Sequence, residues 1–254
     1  MTSVFDSPEF NQNLFFPRRD EANPPAGTDE IYIEVAPQIE IHARKYLLPQ
    51  AKFSLLYFHG NGEIVSDYDG MSALYSNMGG ELIVCDYRGY GLSEGHPSLR
   101  IVLQDAHKIY QTLKKDGKLL KSVCVMGRSL GSASAIELCG HYAEISACVI
   151  ESGYADPVPL VERRGLKIGK MTKEEDALFN NSLKISKVVC PLLIMHGADD
   201  FLIYPQEAKL NFQQAGAKDK ALQILEGVGH NDIMMAPDNG YFNCLNAFFD
   251  KVFK

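Results

Sequence analysis

Continuous apolar runs recur along the chain from residue 51 onward. They read FSLLYF, ELIVC, SVCVM, ACVIE, PLLIM and ALQIL. Runs without polar alternation are typical of strands buried on both faces. Between them, apolar residues fall at helical spacing, as at Val102, Ala106, Ile109, Tyr110 and Leu113. Alternating strands and helices predict a parallel sheet, whose ligand sites lie at the carboxyl ends of the strands.

Before residue 51 the pattern is different. The segments DEIYIEVA and IEIHARKYL alternate apolar with polar residues, which predicts an antiparallel start to the sheet. We therefore predict an α/β fold with a mostly parallel sheet of about eight strands and helices on both faces.

Two segments fall outside this rhythm. Residues 1–27 are rich in Phe, Pro and Asn, and we interpret Phe10, Leu14, Phe15 and Phe16 as an N-terminal strap packed across the sheet rather than a membrane foot. Residues 28–254 would form the main domain. Within it, residues 153–190 are too long for a plain crossover and predict a cap or lid.

Composition narrows the classes of partner. The net charge is -7, which argues against general nucleic-acid binding, since that requires clustered cations. No apolar run is long enough to span a bilayer, and the N-terminus does not resemble a secretory signal. The 6 cysteines are widely spaced, which indicates buried thiols in a reducing, cytoplasmic setting rather than disulfides or a metal site.

The strongest chemical signal is Gly127-Arg128-Ser129-Leu130-Gly131, between a predicted strand and a predicted helix. In this G-x-S-x-G context the serine lies on a sharp turn at the sheet edge. The start of the helix favours a developing anion there. We therefore predict Ser129 as a nucleophile.

A serine hydroxyl needs a histidine base, and the histidine needs a carboxylate that orients it. Asp200 and His230 each follow a predicted strand, in the order Ser129, Asp200, His230. The same order occurs in α/β-hydrolases. Asp199 and Asp156 remain alternative acids. The run His59-Gly60-Asn61-Gly62 also follows a strand, and we predict that the Asn61 and Leu130 amides form an oxyanion hole.

With these residues in place, the chain resembles the α/β-hydrolase superfamily, and within it the BEM46-like group of small serine hydrolases. The motifs that carry the resemblance are YFHGNG, DYRGYGLSEG, GRSLGS, ESGY, HGADD and GVGHND. The resemblance implies the α/β-hydrolase fold and Asp200 as the acid. Such relatives are described as esterases, depalmitoylating thioesterases or proteins of unassigned activity. The resemblance also implies an Asp86–Arg88 pair within a structural turn.

The remaining candidates have plainer interpretations. We expect His59 and His196 to hold loop backbone through their rings, and Asp232 to support the histidine loop. A basic cluster in the predicted cap is either a solvated surface or a recognition site for an anionic substrate. Its members are Arg163, Arg164, Lys167, Lys170 and Lys173.

These observations predict a serine hydrolase that cleaves a small carboxylic ester or thioester through an acyl-enzyme. We expect no cofactor, no metal and no nucleic-acid partner. Three alternatives stay open: a peptidase or amidase with the same triad, a non-catalytic binding protein on this fold, and a peripheral membrane protein acting on lipidated substrates. Acyl length and leaving group depend on how residues 153–190 fold.

Overall fold

An eight-stranded sheet runs through the structure, a computed structural model that describes residues 3–168 and 171–254. The strand order is β1-β2-β4-β3-β5-β6-β7-β8. The strands are β1 Thr28–Ala36, β2 Ile39–Tyr46, β3 Phe53–Phe58, β4 Gly80–Cys85, β5 Val123–Arg128, β6 Ala147–Glu151, β7 Leu192–Gly197 and β8 Lys220–Leu225. The strands from β3 to β8 pair in parallel, whereas β1 and β2 are antiparallel, as predicted.

Burial explains why the apolar runs form strands. Every residue of β3 to β7 is buried, so these strands need apolar side chains on both faces. The last run, ALQIL, is different: β8 is only partly buried because it is an edge strand that pairs with β7 alone. The expectation of a strand covered on both faces was therefore wrong for β8.

The helices cover both faces of the sheet, as predicted. They are α1 Pro8–Leu14, α2 Ser72–Ser76, α3 Leu99–Lys115, α4 Ser132–His141, α5 Pro157–Glu162, α6 Lys173–Phe179, α7 Asn181–Lys184, α8 Pro205–Gln214 and α9 Gly240–Val252. Helices α3, α4 and α8 contribute to the core on one face, and α2 and α9 to the core on the other. In the described parts of the chain, no helix is long and apolar enough to cross a bilayer.

The N-terminal segment packs closely against the first of these cores. It forms α1, which begins after Ser7, whose hydroxyl accepts the Phe10 N–H at 3.2 Å. Phe10, Leu14 and Phe15 are buried, and only Phe16 is exposed, at 53%. Three of the four predicted strap residues thus lie inside the molecule. The boundary of a separate strap at residue 27 stays a prediction.

Residues 153–190 contain the short helices α5, α6 and α7. Two arginines of the basic cluster lie over aromatic rings: Arg163 is 4.8 Å from the centre of Tyr204, and Arg164 is 5.4 Å from that of Phe16. They are therefore packed rather than simply solvated. Lys170, another predicted member, lies outside the described residues. That this interval acts as a cap stays a prediction.

Candidate active site

Ser129 occupies a sharp turn between β5 and α4. Its φ is 51°, a left-handed value that is strained for a residue with a side chain. The Ser132 hydroxyl donates to the Ser129 carbonyl oxygen at 2.6 Å and steadies the turn. Gly131 is required by close approach, since a Cβ there would lie 2.0 Å from the Phe58 carbonyl oxygen. The turn therefore presses against β3 and presents the Ser129 hydroxyl at the carboxyl edge of the sheet.

The three predicted triad residues lie in one hydrogen-bonded chain. His230 Nε2 is 2.9 Å from Ser129 Oγ, and His230 Nδ1 is 2.7 Å from Asp200 Oδ2. A carboxylate accepts a proton donor, so the Nδ1 atom carries the hydrogen and Nε2 is left to accept from the serine. This arrangement can withdraw a proton from Ser129 as its oxygen attacks.

Asp200 is held by its own loop. Its Oδ1 accepts the Leu202 and Ile203 backbone N–H groups at 2.9 and 2.8 Å. His196 Nε2 donates to the Ile203 carbonyl oxygen at 2.7 Å and lies 3.2 Å from Asp200 Oδ2. Burial opposes the charged carboxylate, yet hydrogen bonds from His196 and His230 lower the pKa of Asp200 well below its ordinary value. Asp200 is therefore the ionised partner of His230 at neutral pH.

The alternative acids lie elsewhere. Asp156 caps α5, accepting the Val158 N–H at 2.9 Å. The Asp199 N–H donates to the Val228 carbonyl oxygen at 3.0 Å, which ties its loop to the histidine loop through backbone alone. Of the three candidates, the structure brings Asp200 to His230. The Gly229 N–H donates to Asp232 Oδ1 at 2.7 Å, which confirms that Asp232 supports the histidine loop.

Asn61 and Leu130, the predicted oxyanion residues, line a pocket together with Ser129. The Asn61 side chain makes three hydrogen bonds: it donates to the Leu14 carbonyl oxygen at 2.6 Å, and its Oδ1 accepts the Phe16 N–H at 2.9 Å and the Tyr90 hydroxyl at 2.6 Å. Its backbone N–H donates to no protein group within the described residues. That amide is thus available to a substrate oxygen.

The pocket beside Ser129 is small, with a cavity volume of about 10 Å³. A cavity of that size holds about one water molecule. Its other lining residues are Leu14, Leu160, Arg164, Leu202 and Ile203. The longer the acyl group, the further these side chains must move to admit it, and Leu14 belongs to α1.

The turn after β4 corrects one expectation. Arg88 pairs with Asp105 through two contacts of 2.7 Å, not with Asp86. Asp86 is fully buried and lies 3.2 Å from His42 Nδ1 and 3.3 Å from His59 Nε2. The other ring nitrogen of His59 is 2.8 Å from the Gly60 carbonyl oxygen. His59 and His196 therefore hold loop backbone, as predicted.

Sequence reasoning missed two charged residues beside the triad, Arg128 and Glu63, which form an ion pair. The one available signal was a cation at the end of an apolar strand. Within residues 3–168 and 171–254, no three His, Cys, Asp or Glu side chains are arranged so that they could hold a metal ion.

Comparison with known proteins places this geometry in a family. The family model described as serine aminopeptidase, S33 (Hydrolase_4) matches residues 49–173. The chain is 32% identical over 190 residues to human alpha/beta hydrolase domain-containing protein 17B, which covers 73% of this chain and 62% of that protein. The mouse protein 17C is 30% identical over 194 residues, covering 73% of this chain and 56% of that protein. This chain is a member of the α/β-hydrolase superfamily.

Solved structures of the superfamily share the fold at low identity. The Pyrococcus furiosus esterase Pf2001 superposes with a TM-score of 0.77 at 16% identity, covering 94% of this chain and 99% of that one. Est1E from Butyrivibrio proteoclasticus, solved with ferulic acid bound, gives a TM-score of 0.72 at 16% identity, covering 87% and 98%. The chain spans less than two thirds of the curated relatives it matches, whose names are consistent with the BEM46-like grouping.

Proposed function

We propose that this protein is a serine hydrolase that cleaves carboxylic esters or thioesters through an acyl-enzyme. The observation that carries the proposal is the continuous chain from Ser129 Oγ to His230 Nε2, 2.9 Å, and from His230 Nδ1 to Asp200 Oδ2, 2.7 Å. A nucleophile, a base and an orienting acid at hydrogen-bonding distance are what acyl transfer requires.

In the first half of the reaction, Ser129 Oγ attacks the substrate carbonyl carbon while His230 Nε2 takes its proton. The tetrahedral oxyanion accepts hydrogen bonds from the Asn61 and Leu130 backbone amides. One such donor contributes about 3 to 4 kcal/mol to transition-state stabilisation. His230 then donates the proton to the departing alcohol or thiol, which leaves an ester on Ser129.

In the second half, water takes the place of the leaving group. His230 removes a proton from it, the hydroxide oxygen attacks the acyl carbon, and the returned proton restores the Ser129 hydroxyl. Asp200 stays ionised throughout, because its lowered pKa favours the carboxylate beside an imidazolium. The products are a carboxylic acid and the free alcohol or thiol.

The lining of the pocket favours an ester or thioester over an aminopeptidase substrate. The match to the serine aminopeptidase model makes a peptidase the second candidate. An aminopeptidase must accommodate a substrate ammonium group near the nucleophile, whereas the residues found around this pocket include the Arg164 guanidinium and no carboxylate. Like charges would repel in that space.

Pocket size bears on acyl length. Room for about one water beside Ser129 favours short acyl groups. A long-chain thioester, one substrate class that the family resemblance implies, would require Leu14 and α1 to move away.

The test is a set of matched substrates with one acyl group joined as an oxygen ester, a thioester or an anilide, assayed with wild type and Ser129→Ala. We expect ester and thioester turnover that Ser129→Ala abolishes, with anilide turnover far slower. An acyl series from acetyl to palmitoyl should show falling kcat/KM with length. Faster anilide hydrolysis would favour the peptidase, and a wild type that neither turns over substrate nor reacts with a fluorophosphonate would favour the non-catalytic binding protein.

A further inference from the structure

Arg128, the residue before Ser129, is a buried cation at the base of the candidate site. It ends β5 and is only 8% exposed. Removing a guanidinium from water costs several kcal/mol unless its donors find acceptors of good geometry. Its partners therefore show what the charge does at this position.

The guanidinium contacts three separate elements. Its Nη1 donates to the Glu63 carboxylate, in the turn after β3. Its Nη2 donates to the His230 carbonyl oxygen at 2.8 Å, in the loop after β8. Its Nε lies 3.0 Å from Glu151 Oε1, at the end of β6. Because a guanidinium is rigid and planar, it fixes these three directions relative to each other.

Glu63 connects the Arg128 guanidinium to residues 59–62, the turn after β3 that carries the proposed oxyanion amide of Asn61. We call this turn the oxyanion turn. Its Oε2 accepts the Gly60 N–H at 2.7 Å and the Tyr68 hydroxyl at 2.7 Å. Asn61, the next residue after Gly60, carries the amide that we assign to the oxyanion hole. A Cβ on Gly60 would lie 2.3 Å from Arg128 Nη1, so the turn is packed directly against the guanidinium.

The third partner of the Arg128 guanidinium, Glu151, is itself held in place. It is fully buried, and its Oε2 accepts the Tyr241 hydroxyl at 2.7 Å. Burial raises the pKa of Glu151, while the charge of Arg128 opposes that rise. Tyr241 belongs to α9, so the anchor reaches the helix layer on one face of the sheet.

We propose that Arg128 is a positioning residue that holds the Asn61 amide and His230 in register with Ser129. It touches neither the substrate nor the reacting atoms; it acts through Glu63 on the oxyanion turn and through the carbonyl oxygen of His230 on the base. The inference rests on the proposed function, because it assigns a role within the same reaction.

The expected signature is a loss of kcat with little change in KM. Displacing a reacting group by about 1 Å costs roughly 10²-fold in rate. We expect Arg128→Gln to lower kcat about 30- to 100-fold and to leave KM within about threefold. Arg128→Lys keeps the charge but cannot reach all three acceptors, so its loss should be smaller.

Glu63→Gln tests the path to the oxyanion turn. We expect it to lower kcat about tenfold. Because both residues act in one network, Arg128→Gln/Glu63→Gln should be no worse than Arg128→Gln by more than about twofold. Fully multiplicative effects would contradict a shared path.

Arg88→Gln is the matched control. Arg88 forms a two-contact ion pair with Asp105 and is partly buried after β4, a strand of the same sheet that is separated from β5 by β3. Its loss removes a comparable pair from outside the site. We expect its kcat per folded molecule to stay within about twofold of wild type, because the pair lies outside the candidate site.

Hydrogen exchange supplies a readout that does not require activity. In Arg128→Gln and Glu63→Gln, the amides of residues 59–66 and 227–232 should exchange faster than in wild type, and in Arg88→Gln they should not. If wild type hydrolyses nothing, the proposed function fails while this comparison still tests Arg128. Unchanged exchange, a loss confined to KM, or a kcat equal to that of the control would overturn the inference. If Arg128→Gln does not fold, Arg128→Lys and Glu63→Gln decide it.

Discussion

Two carboxylates, Asp86 and Asp200, each contact a pair of histidines, but only the pair around Asp200 reaches Ser129, the proposed nucleophile. Asp86 follows β4 and contacts His42 and His59, whereas Asp200 follows β7 and contacts His196 and His230. Both carboxylates are almost completely buried, and their neighbouring histidines lower the pKa of each despite that burial. The two sites therefore share the same residue types, the same burial and the same direction of the carboxylate pKa shift.

The difference lies at the second nitrogen of one histidine in each pair. His42 sits between two carboxylates, with Nδ1 3.2 Å from Asp86 and Nε2 2.7 Å from Glu30. Burial disfavours its charge, but the hydrogen bonds and charges of the two acids raise the pKa of His42, so its protonated form is favoured relative to a free imidazole. His230 has one carboxylate and one serine hydroxyl. A histidine becomes a base only where its second nitrogen faces a proton that it can take.

Among the tests of the difference between His230 and His42, the substitution of His230 by glutamine should have the largest effect on kcat. We expect His230→Gln to reduce kcat by a factor of about 10⁴ or more, because the base is lost while the fold is kept. His42→Gln should keep kcat within about tenfold of wild type per folded molecule. Steady-state kinetics with an activated ester would check both, with circular dichroism as the folding control. Equal losses in the two variants would contradict the division of roles.

Replacing Asp200 by a neutral residue should have the next largest effect on kcat. Asp200→Asn should lower kcat by a factor of about 10⁴, since the amide no longer fixes the proton on His230 Nδ1. The matched variant is Asp199→Asn, which removes the neighbouring carboxylate and should leave the rate within about threefold of wild type. The pair of rates, measured under saturating substrate, decides the acid; a greater loss in Asp199→Asn would reverse the assignment.

Asp86→Asn should act on stability rather than chemistry. It leaves the His42 cation buried without one of its partners, and breaking a buried ion pair costs about 3 kcal/mol or more. The urea midpoint should fall while the slope of the unfolding transition is unchanged. Activity per folded molecule should drop far less than in Asp200→Asn. A fall in kcat comparable to that of Asp200→Asn would mean that the buried pair serves the reaction.

The smallest expected effects are opposite dependences of stability on pH. The raised pKa of His42 means that its contribution is full below about pH 6.5 and is lost as pH rises through the folded-state value. The lowered pKa of Asp200 means that its contribution is present above about pH 4 and is lost as pH falls through the folded-state value.

Urea unfolding from pH 3 to pH 9 would measure this for wild type, His42→Gln and Asp200→Asn. The difference in unfolding free energy between wild type and His42→Gln should shrink toward alkaline pH. The difference between wild type and Asp200→Asn should shrink toward acid pH. Two differences that move in the same direction would refute the assignment of charge states.

The sequence alone predicted those features that depend on a short stretch of the chain. The runs from FSLLYF to PLLIM predicted buried parallel strands because no amphipathic face was left for solvent. Ser129 and His230 were predicted as site residues because each follows an apolar run that predicts a parallel strand, and ligand sites lie at the carboxyl ends of parallel strands. β8 was misjudged since sheet order, and hence which strand lies at the edge, is not encoded in a single run.

Contacts between side chains from segments that are distant in the sequence could not be predicted in the same way. The partner of Arg88 is Asp105 on α3, and the histidines around Asp86 come from β2 and the turn after β3. These pairings depend on how distant segments pack, whereas the expected Asp86–Arg88 pair was what the family resemblance implied for a single turn. Arg128 and Glu63 were missed for this reason too, since their shared role is visible only when three strand ends meet.

The contact between Gly60 and Arg128 bears on how this site can be re-engineered. A methyl group at position 60 would lie 2.3 Å from Arg128 Nη1, so even alanine there collides with a guanidinium that is held from three sides. Libraries that randomise the oxyanion turn alone should therefore recover glycine at position 60. Randomising positions 60 and 128 together opens the other solutions, because a shorter side chain at 128 makes room for a larger one at 60.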